Sequence, residues 1–475
     1  MSLKKRVTAV VTIVLVAAVV LYGAWVDAKR GTTMGGNTDL DWYEREETLY
    51  FWYSDDSMTN FINSAAVAFG EQEKIRVIPV LASESEYLEA INRETIHSNQ
   101  VPDLYIASND MLEKAYLAGL ATPIDDVQGV CTEENFSEGA FRAVTYQDKV
   151  VAYPLFFETS ALVYNKTYLE QWAGQAALRE IVGAGDDENT ADLDASQVDP
   201  GMLEQKTNEL LKDAVPKTVF DIMNIANTFN VPEGVESVLR WDVSDIFHNY
   251  WIVGRYMNVG GENGDDPTIV NIGSAETIEC LEVYKALNQF FFIESNKVTY
   301  ESVVDDFCKG KIVFTFATSD VIQKLRAAKE EGGMWFEYDI APMPHVSDTL
   351  QSRAVSVTSG IVINGYSEQK ELANRFAAYL VTECAQSLYE RTGKLSANKN
   401  TNTEDAQISL FHEIYAGSLP LPKIMEAENF WMHLEAVFAK VWNGADVPTE
   451  LQALTDQIQM QIDASMMNAP EEVIE

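Results

Sequence analysis

The sequence predicts an α/β protein of two lobes, each a mostly parallel sheet with flanking helices, preceded by an N-terminal membrane segment. Three observations carry this. The chain has 475 residues, more than one ordinary hydrophobic core accommodates. Its first globular stretch alternates strand-like and helix-like runs, the pattern of a parallel sheet with crossover helices. Further on, Val144–Leu169 (VTYQDKVVAYPLFFETSALVYNKTYL) places a lone carboxylate, Glu158, among aromatics between two strand-like runs. Such a stretch suits a chain passing between lobes beside a ligand.

Lys4-Lys5-Arg6 precede an uncharged apolar run, Val7–Val26. A positive flank and about 20 apolar residues fit an export segment or an uncleaved helical anchor with the basic end inside. The expected divisions are 1–30 for this segment and 31–47 for a Gly-containing linker. Thr48–Tyr53 reads as a strand, Met58–Glu71 as a helix, Ile75–Leu81 as a strand, Glu84–His97 as a helix and Val101–Ile106 as a strand. Ligands in such sheets sit beyond the carboxyl ends of the strands, where Ser54–Ser57 and Ala107–Asp110 fall.

At Val144–Leu169 a hairpin is expected, with Gln147-Asp148-Lys149 as its turn. Pro154 is expected to stop a strand, for lack of an amide hydrogen, and Asn165-Lys166 to close the next. Glu170–Val182 and Met202–Ala214 are helix-like, around an acidic loop, Gly183–Gly201. Its carboxylates Asp186, Asp187, Glu188, Asp192, Asp194 and Asp199 lack the spacing of an EF-hand and read as a solvated loop. Later helices are expected at Ser274–Phe291, Glu301–Lys309, Glu368–Thr382 and Asp446–Met466. Ser352–Ile363 and Leu395–Asn398 read as further crossovers.

Composition narrows the function. Asp and Glu number 73 against 34 Lys and Arg, a net charge of −39. That charge repels nucleic acid and anionic membranes. Cys131, Cys280, Cys308 and Cys384 form no CxxC pair, and the five histidines are dispersed, so no metal or other cofactor is expected.

Asp148-Lys149, Ala152-Tyr153-Pro154, Glu158 and Tyr164-Asn165-Lys166 together resemble the first crossover of ABC-transporter solute-binding proteins of the maltodextrin-binding type. Pro102-Asp103, Ala115–Ile124, Pro216-Lys217-Thr218 and Cys308–Phe316 resemble other elements of that family, and the likeness runs from about Thr48 to Ala464. It implies the type II periplasmic-binding-protein fold, with residues 48–156 and 358–400 in the N-lobe and 157–357 and 401–475 in the C-lobe. Residues 170–215 stand apart as a helical insert. No cysteine precedes Cys131, so the family's lipidated-cysteine anchor is excluded and a helical anchor, or secretion by a cleaved signal, is expected on the extracellular face.

The implied function is capture of a carbohydrate, expected to be an oligosaccharide, and its delivery by a monomer to an ABC permease. Closure is hinged near Phe156–Ser160 and Ser352–Ser359, and no reaction is catalysed. Aromatic faces stack on sugar rings and carboxylates bind hydroxyls. The loops offer Trp52, Tyr53, Phe247, Tyr250 and Trp431 with Asp56, Asp110, Glu158 and Asp320. The resemblance places ligand contacts at Asp56, Asp110, Glu158 and Trp431. Two of the family's stacking positions carry Ala107 and Asp320 instead. Read alone, Trp52, Tyr53, Phe247, Tyr250 and Trp431 also suit core packing. A buried Glu158 would need a partner, for which Arg353 is a candidate. The acidic cleft leaves a polyamine or other cationic solute as the alternative, and a two-carboxylate glycoside hydrolase as a remote one.

Overall fold

The computed structural model describes residues 47–468 except 84–85, 99, 186–192, 194–197 and 426–429. The N-terminal segment, the expected linker up to residue 46 and most of the acidic loop lie outside the described residues. Among those described, no helix is long and apolar enough to cross a membrane.

The chain begins β1 (Thr48–Tyr53), helix Thr59–Glu73, β2 (Arg76–Leu81), helix Tyr87–His97 and β3 (Leu104–Ser108). β1 pairs with β2 on one side and β3 on the other, and both pairings are parallel, as the alternation predicts. Asp103 fastens this unit from beneath: its buried carboxylate accepts from Tyr50 N at 2.8 Å and Ser367 Oγ at 2.5 Å.

A hairpin follows, β4 (Thr145–Tyr146) and β5 (Lys149–Val150). Its turn is Gln147-Asp148 alone, both with positive φ (46° and 61°), and Lys149 already pairs with Tyr146. Such a two-residue turn matches the twist of the flanking strands.

Next comes β6 (Ala152–Asn165), fourteen residues without a break. Pro154 does not stop it. The ladder to the neighbouring strand slips at that point, between Ser359 and Gly360, and the slip absorbs the missing N–H. The two expected strands are therefore one. At its far end Asn165 caps the helix Lys166–Val182 by accepting from Tyr168 N at 2.9 Å. The stretch expected as an insert, 170–215, takes part in a helical pair, Lys166–Val182 against Pro200–Leu211, the second helix burying no residue of its own.

The second lobe adds β7 (Ser237–Leu239), the hairpin β8 (Asn258–Gly260) and β9 (Asp266–Asn271), β10 (Ile312–Thr318) and β11 (Tyr338–Ala341). Between β7 and β8 lie two short 3-10 turns, Ile246–His248 and Tyr250–Ile252, that bury Trp251. The chain then returns through β12 (Val355–Ile363), β13 (Leu395–Ser396) and β14 (Leu419–Pro420).

β6 ties the lobes. Residues 152–159 pair with β12, and 160–165 with β10 and β11, so the partner changes between Thr159 and Ser160. β13 pairs with the middle of β6 at Phe156 and Phe157. Thirteen of its fourteen residues are buried, which accounts for its near-continuous apolar run; Glu158 is the partly open one. Leu162 and Tyr164 enter a core that also holds Trp241, Trp251 and Trp442. Ala161 and Val163 join another core, which runs from Leu49 and Phe51 of β1 to Ile312 and Ala317 of β10. The helix Ala406–Gly417 packs behind the switch: Ile408, Phe411 and Tyr415 lie in that same core, and Tyr415 stacks on Phe157 at 3.9 Å, rings 2° from parallel. Its hydroxyl shares a 2.8 Å hydrogen bond with Thr358 of β12.

The turn joining β8 and β9 reaches across to the other lobe. Gln147 N donates to Asp265 Oδ2 at 2.9 Å, and Lys423 N to Gly264 O at 2.6 Å. Lys423 Nζ, fully buried, donates to Arg142 O at 2.8 Å and to Asn263 O. Burial lowers its pKa to about 8, against the pull of Asp265 and Glu113. Arg353 binds Glu262 at 3.1 and 2.9 Å, so it is not the partner of Glu158. All four cysteines are free thiols. Burial, with acidic neighbours, pushes Cys131 and Cys280 to about 12, and Cys308 and Cys384 to about 11.

Tyr415→Phe removes the hydrogen bond and keeps the stack, and is expected to cost about 1 kcal/mol. Tyr415→Ala also opens a hole behind the switch, at about 3–5 kcal/mol. Urea unfolding of both variants measures the difference.

Candidate ligand-binding site

Two adjoining cavities open where the strands of the first lobe end. The smaller, of about 310 Å³, is walled by Tyr53 and Asp55 after β1, Ala107 and Ser108 at the end of β3, Phe156 and Glu158 of β6, and Lys394. The larger, of about 440 Å³, is walled by Glu86, Glu89, Asp110, Lys114, the stretch Pro422–Met425 and Trp431. Tyr87 and Met111 belong to both walls. Both volumes lie in the range of small-molecule sites.

Local rules place these groups. Asp55 caps the short turn after β1, its Oδ1 accepting from Ser57 N at 2.9 Å, and this turns Oδ2 toward the floor. There it meets Lys394 Nζ at 2.8 Å, and Glu158 Oε1 lies 3.6 Å from the same ammonium. Lys394 also sits 4.7 Å over the Phe156 ring. It reaches this point because Gly393, with φ of 74°, turns the chain out of the helix Ala385–Thr392. Burial works against the charge on Lys394, but Asp55 and Glu158 outweigh it and hold the pKa above the ordinary 10.5. Burial likewise works against the Asp55 carboxylate, and its bonds to Lys394 and Ser57 outweigh that, keeping it below the ordinary 3.8.

The loop after β3 is held from below. Asn109 is buried, donates to Leu421 O at 2.8 Å and accepts from Thr358 N at 2.9 Å. It thereby links that loop to β12 and to the wall of the larger cavity. Ser108 Oγ donates to Asp110 Oδ1, and Lys114 pairs with Glu89 at 2.8 Å.

Of the residues expected at the site, Tyr53 and Glu158 line the smaller cavity, and Asp110 and Trp431 the larger. The other five line neither. Trp52 faces away from Tyr53 on the alternating strand and packs on the cluster around Tyr105. Asp56 is exposed and accepts from Thr59 Oγ1 at 3.3 Å; its neighbour Asp55 is the inward acid. Phe247 packs against the core that holds Trp241. Tyr250 is buried, donates to Met257 O at 2.9 Å, and supports Trp431 edge-to-face at 4.9 Å. Asp320 accepts from Tyr300 Oη at 2.7 Å, from Thr318 Oγ1, and pairs with Lys324 at 2.6 Å, so its oxygens are taken. Sequence reasoning passed over Asp55, Tyr87 and Lys394. Lys394 alone carried a signal, a lone cation at the start of a crossover. Among the described residues no cluster of His, Cys, Asp and Glu could hold a metal ion.

Residues 55–387 match the family model of bacterial extracellular solute-binding proteins.

The chain belongs to that family.

Among curated relatives of this solute-binding protein, a maltodextrin-binding protein of Bacillus subtilis (strain 168) is 20% identical over 404 residues, 82% of this chain and 84% of the relative. Among solved structures, an extracellular solute-binding protein from Staphylococcus aureus in complex with maltose superposes with a TM-score of 0.69 at 16% identity. It covers 89% of this chain and 99% of its own. A cyclo/maltodextrin-binding protein complexed with maltotetraose gives 0.67 at 18% identity, with 93% and 100% covered. These likenesses establish the two-lobe fold.

The ion pair in this solute-binding protein makes its stability depend on pH at both extremes. The Lys394 contribution is complete below pH 10.5 and lost as pH rises through its raised pKa. The Asp55 contribution is complete above pH 3.8 and lost as pH falls through its lowered one. The stability gap between wild type and Lys394→Met is expected to be widest near neutrality and to narrow toward both ends. Urea midpoints at about pH 3, 7 and 11 test this, and an equal gap throughout would contradict it.

Proposed function

We propose that this protein captures an oligosaccharide at the cell exterior and hands it to an ABC permease, by closure of its lobes about β6 and without catalysis. The observation that carries the reading is the composition of the two adjoining cavities. An indole, Trp431, and two phenol rings, Tyr53 and Tyr87, share walls with Asp55, Glu158 and Asp110. Apolar faces for ring C–H groups beside carboxylates for hydroxyls are what a saccharide requires. The maltodextrin-binding protein of Bacillus subtilis and the maltose- and maltotetraose-bound structures make α-glucans the first ligands to try.

Tyr53, Asp110, Glu158 and Trp431 are the contacts we assign among the expected nine. Residues 48–158 with β12 and β13 serve as one jaw, and the lobe holding β7–β11 as the other. An N-terminal helical anchor, or export by a cleaved signal, and a monomeric state complete the reading.

An excess of acidic groups on the walls favours a cationic solute as the second reading. Against it, Lys394 and Lys114 already neutralise Asp55 and Glu89. A hydrolase would need a carboxyl group kept protonated, and Asp55, held below its ordinary value, is not suited to that part.

Isothermal titration of the full-length chain with maltotriose, maltotetraose and spermidine tests the proposal. Binding of a glucan is expected, weakened about tenfold or more by Trp431→Ala and by Glu158→Gln. Heat with spermidine alone would replace the carbohydrate reading with the cationic one. Release of glucose in the same cell would overturn the non-catalytic part.

A further inference from the structure

Tyr87 stands at the junction of the two cavities. It opens the helix Tyr87–His97, directly after Glu86, whose φ of 55° lies in the left-handed region. The side chain is 4% exposed and its ring meets Tyr105 edge-on at 6.5 Å. Its hydroxyl is buried and has no hydrogen-bond partner. That is unusual company in this protein. Tyr105 donates to Leu120 O at 3.2 Å, Tyr168 to Gly310 O at 2.8 Å, and Tyr250 to Met257 O at 2.9 Å. Among the described residues, Tyr87 is the one tyrosine whose buried hydroxyl is left unsatisfied.

A buried polar group without a partner is costly, and natural folds keep few of them. Here the unsatisfied oxygen belongs to a residue on both cavity walls, and the larger cavity carries a second such group, the Trp431 indole nitrogen. Packing accounts for the rings but not for the polar atoms. A phenol hydroxyl both donates and accepts, and a sugar hydroxyl does the same.

We propose that Tyr87 is a ligand-contacting, specificity-determining residue, whose hydroxyl exchanges a hydrogen bond with a saccharide hydroxyl where the ligand passes from one cavity to the other. The assignment rests on the carbohydrate reading above and adds to it. The chain is committed at this point to a ligand unit bearing a hydroxyl, and the ligand spans both cavities. A site built around such a bond discriminates strongly against analogues that lack the group.

The test is Tyr87→Phe in the full-length chain, which removes one oxygen and no packing. In the free protein that oxygen has no partner, so the melting temperature is expected to stay level or rise. Affinity for maltotetraose, by calorimetry, is expected to fall about tenfold. Monodeoxy maltooligosaccharides extend the test: one of them binds wild type weakly and binds the variant no worse than the parent sugar does. A variant that melts lower and binds maltotetraose as wild type does overturns the assignment while the carbohydrate reading stands. A level melting temperature with unchanged affinity does the same. Wild type that binds no glycan overturns the reading, and the assignment with it.

Discussion

β6 forms the inner strand of one sheet along its first eight residues and pairs with other strands along its last six. Its backbone groups are therefore committed on both sides of the Thr159–Ser160 junction. Sliding one lobe past the other would break both ladders at once, whereas bending at the junction disturbs few bonds. The stack of Phe157 on Tyr415 and the bond from Tyr415 to Thr358 stiffen the strand just before that junction. The open position of β6, Glu158, lies there too. In the proposed closure Glu158 sits beside the axis, where it moves least.

The charges of the cleft obey the same economy of position. Lys394 is carried by a third segment, whose β13 pairs with β6, and it binds the acid just after β1 and approaches an acid from β6. Three chain segments distant in sequence meet in one ammonium. With net charge −39, unpaired carboxylates facing one another would repel. The lysine lets two acids share a small volume, and its perch over Phe156 adds a contact with the ring face.

The βαβαβ opening was legible because parallel pairing and crossover helices leave strong periodic signals; the β2-β1-β3 order is settled by tertiary packing and was not. The two-lobe plan was legible from motifs around Tyr153 and Glu158. Other features depend on tertiary detail. Pro154 within a long strand is tolerated only because the β12 ladder slips opposite it, where Gly360 would bring a Cβ within 2.8 Å of Ala152. Whether Asp55 or Asp56 points inward depends on the pitch of one 3-10 turn. Tyr250 and Asp320 are plausible cleft residues by position, yet Met257 O claims one, and Tyr300 and Lys324 the other. Lys394 gains its meaning only from two partners more than 200 positions earlier in the chain.

The four thiols carry a practical consequence. Only the thiolate attacks alkylating reagents, and with pKa values of about 11 to 12 these cysteines are almost wholly protonated at neutral pH. The native chain is therefore chemically quiet toward maleimides. Cysteines introduced on either side of the Gln147–Asp265 contact would stand out against that background, and a pair of dyes attached there would report the proposed closure as a change in energy transfer.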